Sequence, residues 1–511
     1  MKASNPVRIC VPICERTVAA AEQRIAKAAE VADLIELRLD CLDPSQTEDT
    51  GQLADLFAHT SRPTILTLRP AEQGGHRELD EKSRLRFWSL HRPLESGFLD
   101  FELDLVTNAT QLDLGKSFDW SRVICSHHNF AEVSGNLDLI YEQMARTPAR
   151  ILKIAVRAND VTDCLPLFDL LERARGEDRE IIAIAMGQAG IVTRILGPSR
   201  GAFLTYAALN NDSATAPGQI TADELRRIYR IDKIRSETQI TGLVGFPVAH
   251  SISPHIHNAA FESSSFDGVY IPFEVRDIAA FMKRMVHPRS REMKWRLRGL
   301  SVTAPHKSAV MSFLDRVEPA AAEIGAVNTI VVDDGTLHGY NTDAAAFIET
   351  LAERVGELRN LRCAVIGSGG VASAAVWSLK QKQTDVTVFA RDTEKARVLA
   401  EKFGVAWKAL DDAAIEGFDV VINATPLGTS GERENQTPAK APQLAGTRLA
   451  YDLVYNPVET RFLREARKAG CDVLSGLDML VTQAAEQFRL WSGDEAPVQA
   501  MRKAAIRALK V

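Results

Sequence analysis

The sequence predicts an α/β chain in two parts: an eightfold strand–helix barrel, then a two-domain α/β region holding a doubly wound nucleotide-binding sheet. Three observations carry this. Eight short β-branched runs alternate with helix-like stretches over roughly the first 230 residues, the pattern of a (β/α)8 TIM barrel. The polar stretch Asp232–Gln239 reads as a linker after them. A buried run at Cys363–Gly367 then leads through a glycine-rich turn into a helix, the start of a Rossmann-type domain.

The barrel strands are expected at Val7–Ile13, Leu34–Leu39, Thr64–Leu68, Phe98–Leu103, Arg122–Cys125, Ile151–Val156, Ile181–Met186 and Gly201–Leu204. Helices are expected at Val18–Ala32, Lys82–His91, Asn136–Thr147 and Val161–Arg175. A last helix, Thr221–Tyr229, has Thr221 as N-cap with Glu224 completing a capping box. In the second part, Ile240–Val244, Gly268–Val275 and Arg298–Val302 look like strands, each followed by a helix. Val327–Asn341 reads as a hairpin turning at Asp333-Asp334-Gly335. Strands then follow at Asp385–Phe389, Asp419–Asn423 and Arg448–Leu453, with a helix at Val371–Gln381. Domain boundaries are expected at 1–236 for the barrel, 237–343 completed by 476–511 for a middle domain, and 344–475 for the nucleotide-binding domain.

With 511 residues, 45% hydrophobic and 25% charged, the chain can bury several cores. A net charge of −6 gives no reason to expect nucleic acid as main partner. The seven cysteines contain no CxxC pair, so neither a zinc site nor a disulfide framework is expected. No apolar signal core opens the chain and no uncharged run suits a membrane span. A cytoplasmic protein with small-molecule substrates, no resident metal and no membrane partner is the expectation, with the oligomeric state left open.

Barrel catalysts sit at the C-terminal ends of strands. Glu36 and Arg38 end the second run in alternation, Arg69 ends the third, and His127 and His128 end the fifth. Arg194 follows the seventh and Ala216-Pro-Gly-Gln219 the eighth. Lys153 lies inside the apolar run Arg150–Val156. An ammonium in low dielectric is driven towards its neutral amine, which attacks carbonyls. The plainer readings are a lysine that snorkels out of the strand end or one neutralised by a carboxylate. Alternation alone leaves His127 and His128 equivalent. One lysine, a histidine and several arginines at one mouth suit an anionic carbonyl substrate.

Glu36-Leu-Arg38, Arg69 before Gly74-Gly75, Ser126-His-His-Asn-Phe130, Lys153-Ile-Ala-Val and Ala216-Pro-Gly-Gln219 resemble type I 3-dehydroquinate dehydratase. The resemblance implies a Schiff base on Lys153 and His128 as general acid and base. It implies that Glu36, Arg38, Arg69, Arg194, Thr215 and Gln219 hold the substrate. Two departures stand out. Gln73, rather than Glu, precedes the Gly-Gly pair and can orient His128 by a hydrogen bond without carrying a proton; Thr215 stands where Ser is common.

Gly367-Ser-Gly-Gly-Val-Ala372 fits the G-x-G-x-x-G/A form between a strand and a helix. Its backbone N–H groups suit a pyrophosphate. Arg391, at the end of the next strand, suits a 2′-phosphate and hence NADP, while Asp392 points the other way. His250-Ser-Ile-Ser-Pro254, Ser301-Val-Thr-Ala-Pro-His-Lys307, Gly325-Ala-Val-Asn-Thr329, Asn341-Thr-Asp343 and Met479-Leu-Val-Thr-Gln-Ala-Ala485 resemble shikimate dehydrogenase. That resemblance implies Lys307 and Asp343 as the catalytic pair, with Ser251, Ser253, Thr303, Asn328, Tyr455 and Gln483 on the substrate. It implies Gly367, Ser368, Gly369, Gly370, Val371, Arg391, Lys395, Leu453 and Gly476 on NADP. The basic stretch His287–Arg298 around Trp295 is expected to be a solvated helix face or docking surface.

Together these imply a bifunctional enzyme that dehydrates 3-dehydroquinate and then reduces 3-dehydroshikimate to shikimate. The rival readings are a quinate/shikimate dehydrogenase with a weak dehydratase, and a non-catalytic regulator built on the same domains. Retention of Lys153, His128, Lys307 and Asp343 opposes the second.

Overall fold

The computed structural model describes residues 7–509 apart from 49, 59, 91–96, 112–117, 134, 211, 213, 214, 216, 217 and 411–414. The backbone divides into two compact units: 1–238 with 271–285 and 291–295, and 239–270 with 286–290 and 296–511.

Eight strands form the first sheet: β1 (Ile9–Ile13), β2 (Leu34–Arg38), β3 (Thr64–Thr67), β4 (Phe98–Glu102), β5 (Val123–Asn129), β6 (Ile151–Arg157), β7 (Glu180–Met186) and β8 (Thr205–Tyr206). Their order is β7-β6-β5-β4-β3-β2-β1-β8, with neighbouring strands parallel. A single parallel bridge, Ile181 to Ala202, brings the two sheet edges together. Because side chains alternate along a strand, every second residue points into the barrel. Cys10, Leu34, Ile65, Ile124, Ile151 and Ile182 fill one such layer and are buried. Each contributes on the order of 1.5–3 kcal/mol for a fully buried aliphatic side chain. The residues two further along each strand form the next layer, and these are largely polar.

The last strand departs from expectation. Gly201–Leu204 holds only the Ala202 bridge, and the strand proper is Thr205–Tyr206. The turn Pro198–Arg200, closed by Gly201 at φ 107°, delays the extended backbone. Val161–Arg175 begins as a 3-10 turn, Val161–Cys164, before the helix Leu165–Gly176, where Pro166 sits in the first turn. His91, expected to end a helix, and Ala216-Pro217 lie outside the described residues. The capping box is present: Thr221 Oγ1 accepts from Glu224 N and the Glu224 carboxylate accepts from Thr221 N. The expected linker contains a 3-10 turn, Ile231–Lys233, with Ile231 buried.

Six strands make the second sheet: β9 (Gln239–Gly245), β10 (Gly268–Glu274), β11 (Arg296–Val302), β12 (Arg316–Val317), β13 (Thr329–Asp333) and β14 (Thr336–Tyr340). Their order is β10-β9-β11-β13-β14-β12. The β13–β14 hairpin turns on Asp334 and Gly335, both at positive φ (42° and 79°), as a two-residue primed turn requires. Only a 3-10 turn, Ala309–Phe313, follows β11, where a helix was expected. Residues 287–295 form turns and irregular chain rather than a helix face, and Trp295 is buried with its indole N–H on the Met285 carbonyl.

The third sheet is parallel: β15 (Arg362–Ile366), β16 (Asp385–Ala390), β17 (Ala406–Ala409), β18 (Val420–Asn423), β19 (Leu449–Asp452) and β20 (Asp472–Leu474). Its order, β17-β16-β15-β18-β19-β20, reverses direction at β15. Ligands of such sheets bind at the switch point, beyond the strand ends. Here the switch point is the glycine-rich turn after β15.

A disulfide joins Cys14 and Cys41, 27 residues apart in sequence, against the expectation of none. Strands β1 and β2 are parallel neighbours, so their following loops bring the two Cα atoms to 5.3 Å. No spacing rule sees this, because the pairing is made by the barrel. The other five cysteines are free and buried.

Candidate active sites

The second polar layer of the barrel is an ion cluster. Lys153 projects inward from β6, only 5% exposed. Its Nζ lies 2.8 Å from Asp100 Oδ2, 3.3 Å from Glu36 Oε1 and 3.0 Å from the Tyr206 hydroxyl. Of the readings open for this lysine, the structure takes pairing with carboxylates. Arg69 Nη2 meets Asp100 Oδ1 at 2.8 Å, while Nη1 donates to Glu102 Oε1 at 2.6 Å and to Ser126 Oγ at 2.8 Å. Arg84 closes the far side of Glu102 at 2.7 Å. Unpaired, each buried ion would cost several kcal/mol, so each member makes the others tolerable. Burial opposes charge on Asp100, but Arg69 and Lys153 outweigh it and hold that carboxyl well below its usual range. Burial likewise opposes the Arg69 charge, and Asp100 and Glu102 outweigh it.

One cavity is lined by Glu36, Arg38, Arg69, Gln73, His128, Lys153, Arg194, Thr215 and Gln219. All eight dehydratase residues expected from sequence therefore meet, at separations of up to 183 positions. His128, not His127, faces this cavity, because it shares the parity of Ile124 and Ser126. Burial, then the Arg69 and Lys153 cations, push the His128 imidazole well below its usual range, so it stands neutral. Phe130 stacks on it with ring planes 16° apart. Gly74, at φ 81°, lets the β3 loop pass: a Cβ there would sit 2.2 Å from the Phe130 ring. The hydrogen bond expected from Gln73 to His128 is not formed, for Gln73 Oε1 and His128 Nδ1 are both buried without a partner.

The arginines divide into two kinds. Arg38 is chelated by Asp40 at 2.9 and 2.7 Å and also reaches Gly74 O at 3.3 Å. Arg194, buried in the helix Ile191–Leu196, donates to the Tyr206 carbonyl at 3.3 Å, and no carboxylate pairs with it among the described residues. Burial lowers its pKa to about 10, and its Nε has no partner. A cavity with an unneutralised guanidinium is a ready site for an anion. Thr215 and Gln219 are tied together, Thr215 N donating to Gln219 Oε1 at 2.9 Å.

Asp100, Glu102 and Tyr206 were missed from sequence. The first two were visible: Phe98-Leu-Asp-Phe-Glu102 places two acids at inward positions of a strand end, the same signal that picked out Glu36 and Arg38. Tyr206 was hidden by the displaced eighth strand.

In the second unit, Lys307 Nζ donates to Asp343 Oδ2 at 2.5 Å, with side chains 16% and 11% exposed. Asp343 sits in the first turn of the helix Thr342–Val355, where a negative charge is favoured. Asn341 caps that helix through Ala344 N. Asn328 Oδ1 accepts from Thr342 N at 2.8 Å and its Nδ2 donates to Thr342 Oγ1 at 2.9 Å, so its amide clamps the helix start. Ser251 and Ser253 hydroxyls are 3.1 Å apart. Burial pushes the Tyr455 phenol up, partly offset by the Ser251 hydroxyl. Thr303 N bonds Val244 O, and the Gln483 amide donates to Leu480 O in its own helix.

The turn after β15 lies beside this lysine: a Cβ on Gly370 would be 3.7 Å from Lys307 Cδ. Gly367 needs its φ of 131° and its missing Cβ, which would meet the Ala424 carbonyl at 2.8 Å. Gly369 caps the helix Gly370–Gln381 and has open space around it. Ser368 and Val371 flank these glycines, at the helix N-terminus. Gly476 abuts Leu453, whose carbonyl oxygen would be 2.5 Å from a Cβ. Arg391 is exposed at the end of β16. Asp392 is engaged as the N-cap of the helix Thr393–Phe403 and pairs with Lys395 at 3.2 Å.

Comparison with known proteins agrees with both halves. Residues 9–236 match the family described as type I 3-dehydroquinase, and 243–330 the shikimate dehydrogenase substrate binding domain. Residues 349–447 match shikimate / quinate 5-dehydrogenase, and 476–506 the shikimate 5'-dehydrogenase C-terminal domain. The chain is 34% identical, over 96% of its own length and 83% of the relative's, to a chloroplastic bifunctional 3-dehydroquinate dehydratase/shikimate dehydrogenase of Arabidopsis thaliana. It is 44% identical, over 52% of its length and 93% of the relative's, to a shikimate dehydrogenase (NADP(+)) of Oleidesulfovibrio alaskensis. A crystal structure of a shikimate dehydrogenase in complex with NADP+ superposes with a TM-score of 0.50 at 35% identity, covering 54% of this chain and 96% of that one.

Proposed function

We propose a division of labour on one premise: the chain belongs to the family of bifunctional 3-dehydroquinate dehydratase/shikimate dehydrogenases. It dehydrates 3-dehydroquinate in the barrel and reduces 3-dehydroshikimate to shikimate in the second unit, with NADP as cofactor.

In the barrel, the substrate carboxylate pairs with Arg194, the cavity guanidinium that no acid among the described residues neutralises. Lys153 passes one proton to neutral His128, its free amine attacks the ketone, and that proton leaves with the carbinolamine hydroxyl as water to give an iminium. The iminium withdraws electrons, so the adjacent C–H becomes acidic enough for imidazole. His128 is neutral and takes that proton. It returns a proton to the departing hydroxyl, and hydrolysis frees Lys153. Asp100 and Glu36 hold the Lys153 side chain at the cavity floor throughout. Arg38, Arg69, Thr215 and Gln219 line the same cavity, which supports their roles in holding substrate hydroxyls and carboxylate.

In the second unit, NADPH when bound supplies the hydride. The glycine turn fits a pyrophosphate, since Gly369 opens the helix with free space over its backbone. Arg391 fits a 2′-phosphate, because Asp392 is turned away to cap a helix. Lys307 is placed to protonate or hydrogen-bond the developing alkoxide, and Asp343 orients it. Ser251, Ser253, Thr303, Asn328, Tyr455 and Gln483 are proposed for the substrate. Leu453 and Gly476, in backbone contact, are proposed for the nicotinamide and Lys395 for the phosphate end. The domain boundaries proposed are 1–236, 237–343 with 476–511, and 344–475. No helix among the described residues is long and apolar enough to cross a membrane. A cytoplasmic setting is proposed, supported by five free buried cysteines; in it the Cys14–Cys41 pair would stand reduced.

The observation that carries the barrel chemistry is Lys153 at 2.8 Å from Asp100 on the floor of a cavity whose Arg194 lacks an acid among the described residues. Borohydride added with 3-dehydroquinate should leave a reduced adduct that peptide mapping places on Lys153. An active enzyme with the adduct elsewhere, or with none, rules out the imine.

A further inference from the structure

The disulfide loops carry a third group that neither reaction uses. Cys14 follows β1, Cys41 closes the turn after β2, and His76 lies in the loop after β3, so all three stand on the catalytic face of the barrel. The two sulfurs and one ring nitrogen of His76 lie within 4.8 Å of one another. His76 Nε2 is 3.6 Å from Cys14 Sγ, so the ring is already aimed at the pair.

We propose that Cys14, Cys41 and His76, with the cysteines in the dithiol state, form a site for a thiophilic divalent cation of the zinc class. Two thiolates and an imidazole are the donors that select such ions over magnesium or calcium. The backbone holds the donors in place by means independent of the disulfide. Asp40, next to Cys41, accepts the His76 backbone N–H at 3.1 Å and the Arg69 N–H at 3.2 Å, and it chelates Arg38. Asp40 is thereby fully engaged, and Glu15 is paired with Arg24 at 2.9 Å. Neither neighbouring acid is free to be a fourth ligand, so that position falls to water or an added ligand. Two thiolates also neutralise a divalent ion, so binding adds no charge at a mouth already rich in arginine.

The disulfide and the ion exclude each other. A dithiol reductant gives two electrons and two protons to the Cys14–Cys41 bond and becomes a cyclic disulfide. The ion then displaces the two thiol protons, so affinity rises with pH.

The test uses the full chain, reduced with a dithiol and freed of it under anaerobic conditions, then titrated with Co²⁺ alone. Thiolate-to-cobalt charge-transfer absorption should saturate at one equivalent and be displaced by Zn²⁺. The band should vanish in Cys14→Ser and Cys41→Ser. His76→Ala, a change in an exposed loop, removes a direct ligand and should weaken binding by at least the about 10–100-fold typical of losing a group that only orients a ligand. The proposal is overturned if the reduced chain gives no such band. It is equally overturned if the band persists in the double serine variant, is unaffected by His76→Ala, or appears with the disulfide intact.

Discussion

Lys153 and Lys307 are each paired with a carboxylate, yet the two pairs are built for different work. Lys153 comes from mid-strand, is 5% exposed, and lies between Asp100, Glu36 and Tyr206. Lys307 comes from a turn, keeps 16% of its side chain exposed against 7% for Lys153, and among the described residues meets Asp343 alone. An amine that must become covalently bound needs its approach fixed on several sides. One that only steadies a developing alkoxide needs reach and a single orienting partner. The comparison teaches that burial with many partners marks the covalent site, and partial exposure with one partner marks the polar one.

The comparison breaks most visibly at the covalent lysine. Lys153→Ala should lower dehydratase turnover on the order of 10⁴-fold or more and leave shikimate oxidation by the second unit unchanged. Separate assays of the two half-reactions check this, and a fall in both would mean that the sites are not independent. His128→Asn should cost about 10²–10⁴-fold, the range for a general acid–base residue. The pH profile sharpens the same point. Burial, with Arg69 and Lys153, disfavours imidazolium, so neutral His128 persists to lower pH than an ordinary histidine. The acid limb of the dehydratase kcat/KM should therefore lie below the usual value of about 6.5; a limb above it contradicts this assignment.

At the second site, Lys307→Ala should lower turnover by about 10²–10³-fold with little change in KM for NADP, read from steady-state rates. An unchanged turnover removes Lys307 from the reaction. The smallest effect is expected at Arg391→Ala. Losing a charge-assisted contact should raise KM for NADP about 10–100-fold and barely alter that for NAD. Equal changes for both would place Arg391 away from the 2′-phosphate.

Much of both sites was legible because the relevant rules are local. Alternation along β2 pointed Glu36 and Arg38 inward, Lys153 stood out as a cation in an apolar run, and the structure puts all three on one cavity. Thr221 and Glu224 announced their own capping box, and Asp334-Gly335 its own turn. The same alternation would have found Asp100 and Glu102 had it been applied to β4. The eighth strand was placed early because the Ala202 bridge gives Gly201–Leu204 one strand-like contact without a strand. The basic stretch 287–298, expected as a solvated helix face or docking surface, forms turns and irregular chain to 295 and then enters β11, with Trp295 buried on Met285 O.

By itself the sequence determined the strand–helix alternation of the barrel, the inward face at Glu36 and Arg38, the glycine turn and the oddity of Lys153 in an apolar run, because each depends on residues within a few positions; Lys307 came from the resemblance of its motif. Only the tertiary structure decided what those residues meet. Closing the barrel set Lys153 against Asp100, 53 positions away, and Arg69 against Glu102, 33 away. It turned His128 to the cavity as the resemblance implied, left Arg194 without an acid among the described residues, and brought Cys14 to Cys41. The reason is physical: charge pairing and burial act through space, and only the barrel brings distant strand ends to one mouth.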